Sequence, residues 1–252
     1  MVKLPVSGAE IALRRPDGLD DMLLRETAGS PIEAGLALIE RLAGGADCDW
    51  ASLNVTDFEF LLLSARAARF GQQMSLGFAC PHCRDLAEVS FRVSDFLDSV
   101  KPRTVPGVVP DPVRPGWFTL HGVGFRLPTV GDQVAVAVLA QPAQRLAALC
   151  LDEPARQMPH RARVERAMAA MAPELSRPIA GACPSCGAAV QAGLSVTSIV
   201  VAEMRRAAAE VHDEVDLIAR AYHWPQADIL SLPEDRRRAY AERIRRAQIV
   251  AA

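Results

Sequence analysis

Aromatic residues are scarce, at 5% of the 252-residue chain. No stretch approaches the roughly 18 uninterrupted apolar residues that a bilayer-spanning helix needs. The first shortage, set against abundant Ala and Leu, predicts that helices outweigh strands. The second excludes a membrane-spanning segment. A basic charge excess is missing too: the formal net charge is -2 and the isoelectric point is near 6.2. That balance argues against a protein that grips duplex nucleic acid through its phosphates, and leaves room only for a local patch. The amino terminus, MVKLPVSGAEIALRRPDG, lacks the apolar core and small-residue cleavage site of a signal peptide, so the expected location is the cytoplasm. Also lacking are a Gly-rich phosphate loop, a nucleophile elbow and a metalloprotease helix. The chain is therefore read as non-enzymatic, without a small-molecule substrate. With 50% hydrophobic residues it is long enough for one large domain or two small ones.

The pattern along the chain is mostly of helical period. Residues 1–50 form a poorly defined segment with a turn at RRPDG and a helix after Ser30-Pro31, which Gly44-Gly45 ends. In residues 51–100, Thr56 and Glu59 have capping-box spacing at the start of DFEFLLLSARAARF, which stops at Gly71. The period then drops to 2: Met74, Leu76 and Phe78 alternate up to Cys80, and Ala87, Val89, Phe91 and Val93 alternate beyond Cys83. Residues 101–180 hold a Pro-rich linker (KPRTVPGVVPDPVRPG), a hairpin turning at His121-Gly122, and a helical insertion opened by Thr129 and Asp132. That insertion breaks at Pro142, Pro154 and Pro173. Residues 181–252 carry a second cysteine knuckle, a long helix from about Thr197 to His223, and a last helix from Ser231, capped with Glu234 and ending near Val250. The segment VHDEVD reads as a solvated face with Val211 and Val215 as core contacts. EDRRRAYAERIRRA reads as an amphipathic helix for a protein partner.

Six cysteines in a reducing compartment do not suggest a disulfide framework. Four of them form two C-P-x-C pairs, Cys80/Cys83 and Cys183/Cys186, separated by 99 residues. Two residues between cysteines bring both sulfurs to one side of a tight turn, one edge of the tetrahedron that zinc prefers; the second pair supplies the opposite edge. The four are therefore expected to hold a structural zinc ion, whose binding free energy offsets the entropy of closing the long loop. The expected fold class is α+β, mainly helical, with a split zinc-ribbon-like β module formed by the two knuckles. Two other readings stay open. CPHC suits a thiol oxidoreductase if a helix starts at the first cysteine, although RDLAEVSFRV reads as a strand. The cysteines could also be buried thiols without a metal. His82 is not expected to be a ligand. Cys48 and Cys150 read as small core residues, and His121, His160, His212 and His223 as surface or cap residues.

Taken together, TDFEFLLLSARAARFG, CPHC, GFRLPTVGD, CPSC and the carboxy-terminal block resemble the baseplate hub assembly chaperones of contractile phage tails and related injection systems. The block carries most of the resemblance, at His212, Glu214, Val215, Ile218, Ala219, Tyr222, Trp224, Ile229, Leu230, Leu232, Arg237, Arg238 and Tyr240. The resemblance covers most of residues 53–246 and implies an assembly factor or component of the baseplate hub. Its partners would be tail or hub proteins and its location the host cytoplasm during assembly, or the baseplate of the particle. It implies no catalytic residues. Trp224, Ile229 and Leu232 are expected to pack at a helix corner whose flanks could meet a hub subunit. The alternative from the knuckles and the Arg-rich end is a zinc-ribbon adaptor on nucleic acid, with salt-dependent binding.

Overall fold

The computed structural model describes residues 1–44, 48–157 and 160–251. Its architecture is α+β, with four small antiparallel sheets among helices. The chain opens with β1 (Val2–Lys3) and β2 (Glu10–Ile11), followed by α1 (Gly18–Glu26), α2 (Pro31–Leu42) and α3 (Val55–Phe70). Next come β3 (Gln73–Ala79), β4 (Leu86–Arg92) and α4 (Val93–Asp98). The middle holds β5 (Val108–Pro110), β6 (Trp117–Leu120), β7 (Val123–Arg126), α5 (Val130–Val136), α6 (Pro142–Cys150) and α7 (His160–Met171). The last part is β8 (Ile179–Ala182), β9 (Ala189–Ala192), α8 (Val196–Ala207), α9 (Val211–Tyr222), α10 (Gln226–Leu230) and α11 (Glu234–Ala251).

Local chemistry accounts for most boundaries. Ser30 caps α2 in a capping box with Glu33, and Pro31 occupies the first turn, where its missing N–H costs nothing. Thr129 and Asp132 form the same box on α5. Gly71, at φ 85°, ends α3 in a backbone region that favours glycine. His121 and Gly122, at φ 50° and 83°, make the two-residue hairpin turn between β6 and β7.

Other boundaries differ from expectation. RRPDG leads directly into α1, capped by Asp17 with Asp20 returning the bond. The cap of α3 is Asn54, two residues before Thr56, because its side chain accepts the Asp57 N–H. Asp57 in turn accepts the Val6 and Ser7 amides at 2.9 Å each. The Pro-rich stretch contributes β5, which pairs with β6. The long carboxy-terminal helix is interrupted by a 3-10 turn at Ala208–Glu210, dividing α8 from α9. The last helix starts at Glu234, since Ser231 closes the short α10. The helical insertion does break at the three prolines as expected: Pro142 starts α6, Pro154 starts a 3-10 turn and Pro173 follows α7. Of the Gly44-Gly45 pair, Gly45 lies outside the described residues.

The main core is helical. Leu38, Ile39 and Leu42 of α2 meet Phe58, Leu61 and Leu62 of α3, with Val200, Val201 and Met204 of α8 completing the layer. Met74 and Leu76 attach β3 to it. A second cluster packs Leu120, Val123 and Phe125 of the three-stranded sheet on Val164 and Ala167 of α7. A third, Ile218, Ile229 and Ile244, joins α9, α10 and α11. Among the described residues, no helix is long and apolar enough to cross a membrane.

Candidate metal centre

The two hairpins that carry the cysteines are built alike. Strand β3 runs antiparallel to β4 from Gln73↔Arg92 to Ala79↔Leu86, and β8 to β9 from Ile179↔Ala192 to Ala182↔Ala189. Each turn is closed by the same two backbone hydrogen bonds. Cys80 N–H donates to Asp85 O at 2.9 Å and Arg84 N–H to Cys80 O at 2.9 Å. In the second turn Cys183 N–H donates to Ala188 O at 2.9 Å and Gly187 N–H to Cys183 O at 2.8 Å. Arg84 and Gly187 occupy equivalent left-handed positions, φ 64° and 72°. Each C-P-x-C is thus a knuckle whose chain path is set within six residues, with glycine in the second copy where the first carries a strained arginine.

The knuckles face each other. Sγ of Cys80 lies 3.8 Å from Sγ of Cys186, and Sγ of Cys83 lies 3.7 Å from Sγ of Cys183. All four sulfurs fall within 4.8 Å of one another. A disulfide requires about 2.05 Å, so these pairs are not bonded. A tetrahedral ion with metal–sulfur bonds of about 2.3 Å has sulfur–sulfur edges of about 3.8 Å, which is the spacing seen across the knuckles. Four cysteines so arranged could bind a metal such as zinc.

Backbone amides favour the thiolate at Cys183. The Cys186 N–H, and then the Ser185 N–H, pull Cys183 down to about 6. Against the lowering donation of the Asp85 N–H, burial and the three neighbouring thiols push Cys83 up to about 12. A divalent cation would resolve this crowding, because metal binding displaces the thiol protons and neutralises the thiolates it gathers.

The hairpins approach closely beside the site. A Cβ placed on Gly181 of β8 would stand 2.8 Å from Cγ2 of Val89 on β4, too close for any side chain without movement. Gly181→Val is expected to wedge the hairpins apart and lower metal affinity about tenfold or more, the scale of outer-shell disruption. Competition with a chromogenic chelator reads this directly, and wild-type affinity would show that the close approach does not hold the site.

His82 is exposed, outside the four ligands. Cys80 ends the β3 hairpin arm and Cys83 precedes β4, so no helix begins at the first cysteine as thiol redox chemistry would require. Cys150 is buried, and desolvation raises its thiol to about 11. Cys48 packs partly against the main core. His121, His212 and His223 are exposed and His160 is half-buried.

The carboxy-terminal block departs from the solvated-face reading. Glu214 is buried and accepts from Arg237 Nε at 2.5 Å, while Arg237 Nη2 donates to Asp21 at 2.8 Å. Asp21 and Glu234 also pair with Arg69, at 2.8 and 2.6 Å. Only the neighbours His212, Asp213 and Asp216 are exposed as expected. The amphipathic end therefore docks first onto this chain's own α1, α3 and α9. Around the corner, Tyr222, Trp224 and Tyr240 form a half-exposed aromatic trio with ring centroids 5.1–5.6 Å apart. Ile229 is buried beneath them, whereas Leu232 stays outside that cluster.

Compared with protein-family models, curated proteins and solved structures, the chain matches none.

Proposed function

We propose that the chain is a non-enzymatic assembly factor for, or component of, the baseplate hub of a contractile tail or injection system. It acts through protein–protein contacts and is braced by a structural zinc ion in a split zinc-ribbon-like module. The observation carrying this reading is that Val215, Ile218, Ala219, Trp224, Ile229 and Tyr240 of the carboxy-terminal block gather into one corner of α9, α10 and α11. Part of that block is internal bracing, through Glu214 and Arg237. The remainder presents Tyr222 and Trp224 beside Tyr240. Aromatic side chains that are already ordered lose little entropy on binding and dominate contact energies at protein interfaces.

The test is co-expression of the tagged chain with the tube, sheath, spike and hub proteins of a contractile tail, followed by affinity capture. Retention of a hub protein, lost in Tyr222→Ala without a change in thermal melting, is the expected result. Normal tails after deletion of the gene, with no tail protein captured, would overturn the proposal.

A further inference from the structure

A cavity of about 500 Å³ opens where α3, α7 and the start of α8 meet, and it shares no lining residue with the cysteine cluster. That volume is in the range of small-molecule pockets. Leu146, Met168 and Leu175 supply apolar wall, and Glu59 supplies a carboxylate that is only 5% exposed. The cavity walls include no Lys, Arg or His among the described residues.

The partners of Glu59 are all neutral. Oε1 accepts from the Ser176 hydroxyl at 2.5 Å and from Thr197 Oγ1 at 3.5 Å, and Oε2 accepts from the Ser176 amide at 3.1 Å. A carboxylate offers about four lone-pair directions, so these contacts, one of them long, leave acceptor capacity. Asp20, Asp21 and Glu214 are equally buried, yet each has an arginine. Asp57 lacks one, but it is filled by two backbone amides and Asn54 and does not line this cavity. The other acids on the wall are Glu165, whose exposed side chain pairs with Arg161 at 2.7 Å, and Glu174.

We propose that this cavity binds an aliphatic cation, an ammonium or guanidinium on a hydrocarbon stem, with Glu59 as the counter-ion and the apolar wall around the stem. Burial, with a smaller contribution from Glu174, holds the Glu59 carboxyl above its ordinary range despite the donors that oppose it. A cation entering beside it removes that penalty, because a buried charge is tolerated when it is paired. An anion would face carboxylates, and a purely apolar ligand would leave Glu59 uncompensated. The site is independent of the hub-assembly reading.

n-Pentylamine and 1-pentanol share length and shape, so their comparison isolates the charge. Calorimetric titration of the full zinc-loaded chain is expected to show the amine binding about tenfold or more tighter than the alcohol, the scale of a charge-assisted hydrogen bond. Glu59→Gln should erase that preference, and Leu146→Trp, which fills the cavity while keeping Glu59, should weaken the amine as well. N-acetyl-lysine methylamide separates the two sources of such a cation. If it binds as well as pentylamine, the site takes a partner's side chain; if only pentylamine binds, the site takes a free amine. Equal affinity for amine and alcohol, no binding of either at millimolar concentration, or a Glu59→Gln chain that keeps the preference would each overturn the proposal.

Discussion

Cys183→Ser is expected to abolish stoichiometric metal binding and to unfold the cysteine ends of both hairpins. Cys183 and Cys80 are 2% and 1% exposed, and the small cluster they form contains only Ala87 and Val190 as further buried members. So little apolar surface cannot hold two separate two-stranded hairpins, which are marginal in water on their own. A metal shared by the two knuckles would join them across 99 intervening residues. In the chain-entropy picture, a link closing about 100 residues stabilises by about 5 kcal/mol, and apparent zinc binding energies reach about 10–16 kcal/mol. Whole domains are stable by only about 5–15 kcal/mol, so losing this link is a large fraction of the total. Metal content by mass spectrometry should fall to zero. Hydrogen exchange should accelerate around residues 79–87 and 182–189, and much less at Met74 and Leu76, which remain anchored in the main core. A chelator should reproduce the effect on the unmodified chain. An unchanged melting temperature together with undiminished metal content would refute the shared site.

Why the cysteines were legible and Glu59 was not follows from the range of the interactions. A C-P-x-C knuckle is a local turn: its hydrogen bonds span six residues, and its ligand type states what it wants. The distance between the pairs did not matter, because tetrahedral coordination demands a second edge from somewhere. Helix α2 and the β6–β7 hairpin were legible for the same reason, through Ser30, Glu33 and the His121-Gly122 turn. Thr56 and Glu59 carried an equally good local signal that lost to tertiary context. Asn54 takes the cap by accepting the Asp57 N–H, and that leaves Glu59 to reach Ser176, 117 residues away. In VHDEVD, nothing within the segment distinguishes Glu214 from Asp213 or Asp216. Only its placement opposite Arg237 does, and a charge pair reveals itself in sequence only when both members share a helix face. Residues 108–110 read as linker because a short edge strand has no period of its own, and its one proline, Pro110, is tolerated at an edge.

Arg237→Ala is expected to destabilise the chain by about 3–5 kcal/mol, the cost of stranding buried charge. Its side chain is 1% exposed and sits between Asp21 at 1% and Glu214 at 2%. The fold makes room for it deliberately: a Cβ on Gly18 would lie 2.6 Å from Arg237 Nη1, so the first turn of α1 carries glycine where the guanidinium passes. Removing the arginine leaves Glu214 with Arg238 at 3.7 Å as its nearest cation, and Asp21 with Arg69 alone. Arg246→Ala is the natural control, since that arginine pairs with Glu242 on the same helix but both are exposed, at 79% and 58%. Such a surface pair is worth about 0–1 kcal/mol. Urea unfolding should therefore separate the two variants by several kcal/mol, with α11 losing exchange protection only in the first. Replacing both partners with apolar groups, Arg237→Met with Glu214→Leu, should recover much of the loss, because the penalty comes from the unpaired charge and not from the missing pair. If Arg237→Ala falls within about 1 kcal/mol of the control, water reaches these carboxylates and α11 is held without them, by Ile244, Ala241, Tyr240 and the Glu234–Arg69 pair.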